Sequence, residues 1–406
     1  MPHAALSPIS RRERTVFAAV AVIIALLAAR ILVERPGFTD AFYHFNAAHR
    51  LVIGYGLTDA YLWNYIYLPE TLPLPSHLYW MPLTSLVSAA GMWLLHAPGN
   101  HAAAQIPLVL LVTATACTAF WLGERFGGSR RHAWSAGLLT VFGGYYLRYW
   151  GATDTFAPYA AVGSLTLVFI GLGAENGQTR WFALAGAMAA LGHLTRADGL
   201  LLLVVGWMVV VWMRQPMRNT VASLAAMTGM YLLVMLPWFV RNAALVGAPL
   251  PVGGVQAMWF TSYDDIFSYP SQSAMPALLG DDGVLGALIA ARGRALSEGL
   301  GTFVAVEGFI VLTPLMLLSL WLRRRSTFLR AFWLYALGMH LAMTLIFPFP
   351  GMRGGLFHSA AALVPWWSAL GIVGMDDAVE WVAKRRRTWR PAVAKRVFTG
   401  ALVIFV

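Results

Sequence analysis

Apolar runs long enough to cross a bilayer recur along this chain, for example from Thr15 to Val33, Ala104 to Leu122 and Thr220 to Val240. A helix needs about 20 predominantly apolar residues to span the hydrocarbon core. Backbone groups in lipid must be satisfied within their own segment, so such runs are helices. The balance of 59% hydrophobic against 12% charged residues in 406 excludes an ordinary soluble globule. A net charge of +11 does not mark a nucleic-acid partner, because the arginines sit in short clusters between apolar runs and not along one polar face. Cys117 is the only cysteine and lies in an apolar run, which excludes an intramolecular disulfide. Arginine is abundant while Lys384 and Lys395 are the only lysines, a composition that hints at a bacterial source.

The basic clusters order the chain across the membrane. Arg11, Arg12 and Arg14 precede an apolar run of about 18 residues, longer than the ~7–15 of a signal-peptide core, so the run reads as a retained anchor with a cytoplasmic amino terminus. Further clusters at Arg125/Arg130/Arg131, Arg214/Arg218, Arg323/Arg324/Arg325/Arg330 and Lys384/Arg385/Arg386/Arg387 are expected on the cytoplasmic side. Even numbers of apolar stretches separate these clusters. The parity fails only before Arg125, and it is restored if residues 79–96, which contain Pro82, lie on the outer surface or re-enter. About ten crossings result, and the stretch from Val397 to Val406 reads as an incomplete last helix. The expected fold is an all-α polytopic helical bundle with amphipathic or re-entrant helices in its first external loop.

This topology gathers the polar residues on the face away from the cytoplasm: Asp40, His44 and Asp59; Asp154; Arg196 and Asp198; Arg241; Arg353 and His358. Acids, histidines and arginines concentrated at helix ends of one face describe a polar site at that interface. A transporter places such groups nearer the midplane and carries paired repeats, which are not evident here. Glu307 falls inside an apolar run, where an acid needs a function or a partner, and Arg353 is the expected partner. Tyr61, Trp63, Tyr65, Tyr67, Tyr79 and Trp80 read as an interfacial aromatic belt, and Asp264, Asp265, Asp281 and Asp282 as solvated loop charges.

The order of several short motifs resembles the GT-C glycosyltransferases, which include lipid A aminoarabinose transferases and protein O-mannosyltransferases. The acidic first loop is Phe38-Thr39-Asp40-Ala41-Phe42-Tyr43-His44, followed by Gly54-Tyr55-Gly56-Leu57. Ser76-His77-Leu78-Tyr79-Trp80-Met81-Pro82-Leu83 resembles the proline-containing stretch of the family, and Leu194-Thr195-Arg196-Ala197-Asp198-Gly199 its Thr-Arg turn. Pro237-Trp238-Phe239-Val240-Arg241-Asn242 resembles the end of its seventh helix. The similarity covers residues 15–255, with an echo at Arg353 to Pro365. Where many relatives carry a basic residue and a proline pair, this chain has Met81-Pro82, with His77 the nearest substitute.

The resemblance implies a catalytic membrane module over residues 1–255, including an external loop at 34–103, then an external loop at 256–301 and additional transmembrane helices over 302–406. It implies transfer of a sugar, with inversion, from a polyprenyl-phosphate donor to a lipid, glycan or protein acceptor at the outer face of the cytoplasmic membrane. Asp40 takes the place of the general base and Asp154 that of the second acid. Arg196, helped by Arg241 or His77, is expected to hold the phosphate. No metal and no cofactor are expected, because near Asp40 the sequence guarantees only Asp154 as a further oxygen ligand. His44, Asp198, Glu307, Arg353 and His358 are accessory candidates. Each residue also has a structural reading. Asp40 or Asp154 can cap a helix, Arg196 and Asp198 can close a turn as an ion pair, Arg241 can snorkel, and His44, sharing a helix face with Asp40, can be a hydrogen-bonded interface histidine or half of a metal pair. A transporter or lipid flippase, or an envelope-assembly scaffold without activity, is the alternative.

Overall fold

The computed structural model describes residues 9–61, 71–250, 258, 282–386 and 388–406. Trp63, Tyr65, Tyr67, Asp264, Asp265, Asp281 and Arg387, with the first part of the 256–301 segment, lie outside the described residues.

Within those bounds the chain is a helical bundle. The first half runs through α1 (Arg11–Leu32), α2 (Thr39–Val52), α3 (Leu83–Leu94), α4 (His101–Gly127), α5 (Arg130–Phe142), α6 (Phe156–Asn176), α7 (Thr179–Thr195), α8 (Leu200–Trp212) and α9 (Met217–Val246). The second half holds α10 (Asp282–Thr302), α11 (Thr313–Leu322), α12 (Arg330–Leu341), α13 (Val364–Ala383) and α14 (Pro391–Phe405). The sheet content is one two-residue pairing, Thr58–Asp59 (β1) antiparallel to Leu74–Pro75 (β2). Segment 282–301, expected as loop, is the 21-residue helix α10: its run of Ala, Leu and Ile has no proline to stop a helix.

Among the described residues, five helical segments are long and apolar enough to cross a membrane, namely α1, α4, α6, α9 and the stretch Pro348–Ala383. The protein is therefore a multi-pass membrane protein. Their surroundings differ: 83% of the apolar window of α6 is buried within the bundle but only 22% of that of α1, which leaves Ile23, Leu27 and Ile31 for lipid. Helix α3 has 12 residues, about 18 Å, well short of the ~30 Å core, and it packs on α2 and α4.

Small residues let the helices approach closely. A Cβ on Gly186 of α7 would meet the Met227 carbonyl oxygen of α9 at 2.0 Å, and one on Gly374 of α13 would meet the Leu315 carbonyl oxygen of α11 at 1.9 Å. Alanine at either position would push the helix pair apart. The polar ends are closed locally: Asn100 accepts from Ala103 N–H and Ser129 from His132 N–H, so orphan amides at the starts of α4 and α5 are satisfied. The arginine clusters fall where α4 meets α5, α8 meets α9, and α11 and α13 end. Asp154 and Arg196 fall at the opposite ends, where α5 leads to α6 and α7 to α8.

Candidate active site

Asp40 sits in the first turn of α2. The helix begins at Thr39 with Phe38 as its unassisted N-cap, so the Asp40 carboxylate is not spent on capping. Apolar periodicity turns Ala41, Tyr43, His44, Ala47 and Ala48 inward, and Asp40 comes in at the rim of that face. Asp154 precedes α6 and is 1% exposed. Its Oδ1 accepts from Thr155 N–H at 2.5 Å, while its Oδ2 is buried without a hydrogen-bond partner among the described residues. His358 arrives from the short helical turn Leu356–Ala360, its ring stacked on Phe156 at 3.9 Å. Its Nδ1 lies 2.8 Å from Thr155 Oγ1 and 3.7 Å from Asp154 Oδ1.

One ligand atom from each of Asp40, Asp154 and His358 lies within 4.8 Å of the others. Two oxygens and an imidazole nitrogen suit a divalent cation of intermediate hardness. The partnerless Asp154 oxygen adds to that fit, because a buried carboxylate oxygen without a donor is costly. The expectation of no metal rested on the want of a third ligand, and His358, separated from Asp154 by 204 positions of sequence, supplies one.

Crowding of two acids in a buried place sets their acidity. Burial raises the Asp40 pKa above the ordinary carboxylate value, against the pull of Arg196 and a Trp80 hydrogen bond. Burial, then the neighbouring Asp40 charge, pushes Asp154 up to about 8, with the Thr155 amide and Arg196 opposing. Arg196 is the cation whose charge acts on both acids. Its Nε donates to Asp198 Oδ1 at 2.9 Å, and its terminal nitrogens reach Thr155 Oγ1 at 3.5 Å and the Gly355 carbonyl at 3.3 Å. Asp198 also accepts from Ser359 Oγ, so the Arg196-Asp198 turn is tied to the strand of chain that carries His358. The turn-closing ion pair is real, and it aims the arginine.

The other expected residues fall elsewhere. Arg241 donates to the Leu57 carbonyl at 3.2 Å and the Ser76 carbonyl at 2.8 Å and lies over the Trp238 ring, clamping the β1–β2 segment to α9. His77 is fully buried and has both ring nitrogens engaged, Nδ1 with Ser76 Oγ at 2.7 Å and Nε2 with Ser85 Oγ at 2.9 Å. Glu307 is fully buried, but its partners are the Trp367 indole N–H at 2.8 Å and His340 Nε2 at 3.0 Å, not Arg353. Arg353 lies instead over the Phe349 ring, on an exposed bend between helical turns. Sequence reasoning missed Ser85, Ser359 and Thr155 altogether, since single hydroxyl residues carry no pattern until their partners are known.

No family model matches the sequence, and no curated protein matches it either. Solved structures do match in shape. The archaeal oligosaccharyltransferase AglB from Archaeoglobus fulgidus, in complex with an inhibitory peptide and a dolichol-phosphate, aligns over 97% of this chain and 54% of its own, at 14% identity and TM-score 0.58. The same Archaeoglobus enzyme in complex with Zn and sulfate aligns over 94% of this chain and 53% of its own, at 14% identity and TM-score 0.54. ArnT from Cupriavidus metallidurans bound to undecaprenyl phosphate aligns over 98% of this chain and 69% of its own, at 14% identity and TM-score 0.56. The chain spans about half the length of the archaeal enzyme. AglB and ArnT are GT-C glycosyltransferases, and the helical bundle described above has the GT-C fold.

Proposed function

We propose that the protein transfers a sugar from a polyprenyl-phosphate donor to an acceptor at the outer face of the cytoplasmic membrane, with inversion at the anomeric carbon. The observation that carries this reading is the convergence of Asp40, Asp154 and His358 beside Arg196 on a fold whose solved examples hold polyprenyl phosphates.

The chemistry needs a base and a charge sink. Asp40, whose basicity is raised by burial, takes the proton of the acceptor hydroxyl as that oxygen forms its bond to the anomeric carbon. The sugar–phosphate bond breaks on the opposite face, and its electron pair stays on the phosphate oxygen. Arg196 faces that developing charge with donors whose protonation does not change near neutral pH. A divalent cation held by Asp40, Asp154 and His358 would supply further positive charge to the leaving phosphate. We assign Arg241 and His77 to holding the loop over the site, because their donors and ring nitrogens are already engaged by protein.

The test is transfer from radiolabelled polyprenyl-phosphate sugars after exhaustive chelation, beside the Arg196→Lys variant. Activity lost on chelation and restored by manganese supports the cation at the cluster. Activity that survives chelation but falls sharply in Arg196→Lys returns the phosphate to the arginine alone. A scaffold would keep its function in Asp40→Asn, and that outcome overturns the enzyme reading.

A further inference from the structure

Behind the two acids lies a chain of buried hydroxyls and imidazoles that transfer itself does not require. His44 Nδ1 is 3.0 Å from Ser85 Oγ; Ser85 Oγ is 2.9 Å from His77 Nε2; and His77 Nδ1 is 2.7 Å from Ser76 Oγ. His44, Ser76, His77 and Ser85 are all fully buried. At the end of the chain, His44 Nε2 is buried with no hydrogen-bond partner among the described residues. His44 follows Asp40 by one helical turn on the same face of α2, and its ring senses the Arg196 charge. Burial holds it neutral, with its pKa down to about 3. A neutral imidazole has one N–H and one lone pair, so the remaining question is which nitrogen carries the proton.

The chain can be wired in two directions. In one, Ser76 donates to His77 Nδ1, His77 Nε2–H donates to Ser85, and Ser85 donates to His44 Nδ1, which leaves the proton of His44 on Nε2. Each internal donor then has an acceptor, and the single orphan is His44 Nε2–H. In the reverse direction, His44 Nδ1–H donates to Ser85, Ser85 to His77 Nε2, and His77 Nδ1–H to Ser76. The buried Ser76 hydroxyl hydrogen then has no acceptor among the described residues, and the His44 Nε2 lone pair has no donor. Two orphans replace one, and leaving an additional buried polar group unsatisfied is costly. The first direction wins. It leaves a neutral, pre-oriented His44 N–H one helical turn from Asp40, with no acceptor among the described residues.

We infer that His44 Nε2–H is a fixed hydrogen-bond donor to a phosphate oxygen of the lipid donor, with its tautomer set by the Ser76-His77-Ser85 relay. The inference rests on the transferase reading above and adds a binding residue to it. A neutral donor is suited to this place. It stabilises an anionic oxygen without adding a second positive charge beside Arg196, and buried out of water it cannot exchange its partner for solvent.

Two measurements test it on the full-length protein in lipid nanodiscs. Histidine-selective 15N NMR of the wild type, assigned by the His44→Gln variant, should show the Nε2–H tautomer at His44; the Nδ1–H form overturns the proposal without reliance on any variant's folding. Binding of undecaprenyl phosphate, with no sugar attached, should weaken about tenfold or more in His44→Leu, as loss of one hydrogen bond to a charged group predicts. It should stay within about threefold of wild type in His44→Gln, whose amide N–H takes the place of Nε2–H. Equal binding by wild type and a folded His44→Leu overturns the assignment of His44 alone. Equal weakening in the Leu and Gln variants overturns it as well, because the donor then does not matter. Absence of binding by the wild type removes the transferase reading and this proposal with it.

Discussion

Two clusters of charge sit at helix ends in this molecule, and they are built in opposite ways. Around Asp376 on α13, cations are in excess: Arg131 pairs with Oδ2, His132 Nε2 lies 3.0 Å from it and Lys395 Nζ 3.6 Å, while Arg131 also donates to Thr399 at 2.5 Å. Lys395 reaches Glu380 at 2.5 Å, so α5, α13 and α14 are tied together. Around Asp154 the balance is reversed. Two carboxylates and a neutral-leaning imidazole share one arginine that Asp198 already engages, and an Asp154 oxygen and a His44 nitrogen are left with no partner among the described residues. In the first arrangement Asp376 Oδ1 also lacks a hydrogen bond among the described residues, but three basic side chains converge on Oδ2 and hold helices together. The second needs something from outside, a proton, a cation or a substrate, and that need separates a site from a fastening.

Substitutions should break the two clusters in opposite senses. The largest effect is expected for Asp40→Asn, which removes the general base; transfer from a radiolabelled lipid donor should fall about a thousandfold, with the melting temperature unchanged or raised, since general-base catalysis contributes typically 10²–10⁴. Next comes His358→Ala. If the cluster holds a cation, activity should fall at limiting manganese and partly recover at high manganese, and a titration of activity against metal would show the shift; recovery absent at any concentration places His358 in structure only.

The third prediction concerns pH. Asp154 binds its proton more tightly folded, at about 8, than unfolded, at the ordinary 3.8. Between those values the native state holds the extra proton, so stability is fully present below about pH 4 and is lost as pH rises through about 8, by at most about 1.4 kcal/mol per pH unit. Thermal unfolding in detergent with chelator present should follow that slope, and Asp154→Asn should flatten it. A slope unchanged in the variant would assign the effect to other groups. The smallest effect on activity, and a clear one on stability, is expected at the other cluster. Arg131→Ala should lower stability by about 1–3 kcal/mol by removing the arginine paired with Asp376 and leaving it to His132 and Lys395, while leaving turnover per folded molecule within about twofold. Turnover lost without a change in melting temperature would erase the contrast between the two regions.

Glu307 shows where reading from sequence stops. An acid in an apolar run was enough to expect a partner, yet the choice of His340 and Trp367 over Arg353 depended on how α12 and α13 pack against the helical segment that carries it. His77 is similar: its place in a proline-containing stretch suggested a phosphate ligand, and only the structure showed both ring nitrogens taken, one by the adjacent Ser76 and one by Ser85 of α3.

What the sequence alone determined is local. Long apolar runs impose helices, because a backbone in lipid has to satisfy its hydrogen bonds within its own segment. Arginine clusters mark one set of helix ends, and Asp40, Asp154 and Arg196 stand at the other. The tertiary structure decided what these ends meet. His358 reaches Thr155 across 203 positions, and Ser359 reaches Asp198 across 161. Such contacts depend on which helix faces fit together, and small residues such as Gly186 and Gly374 permit that fit without announcing their partner. Periodicity fixes which side of a helix is buried; only packing fixes against what.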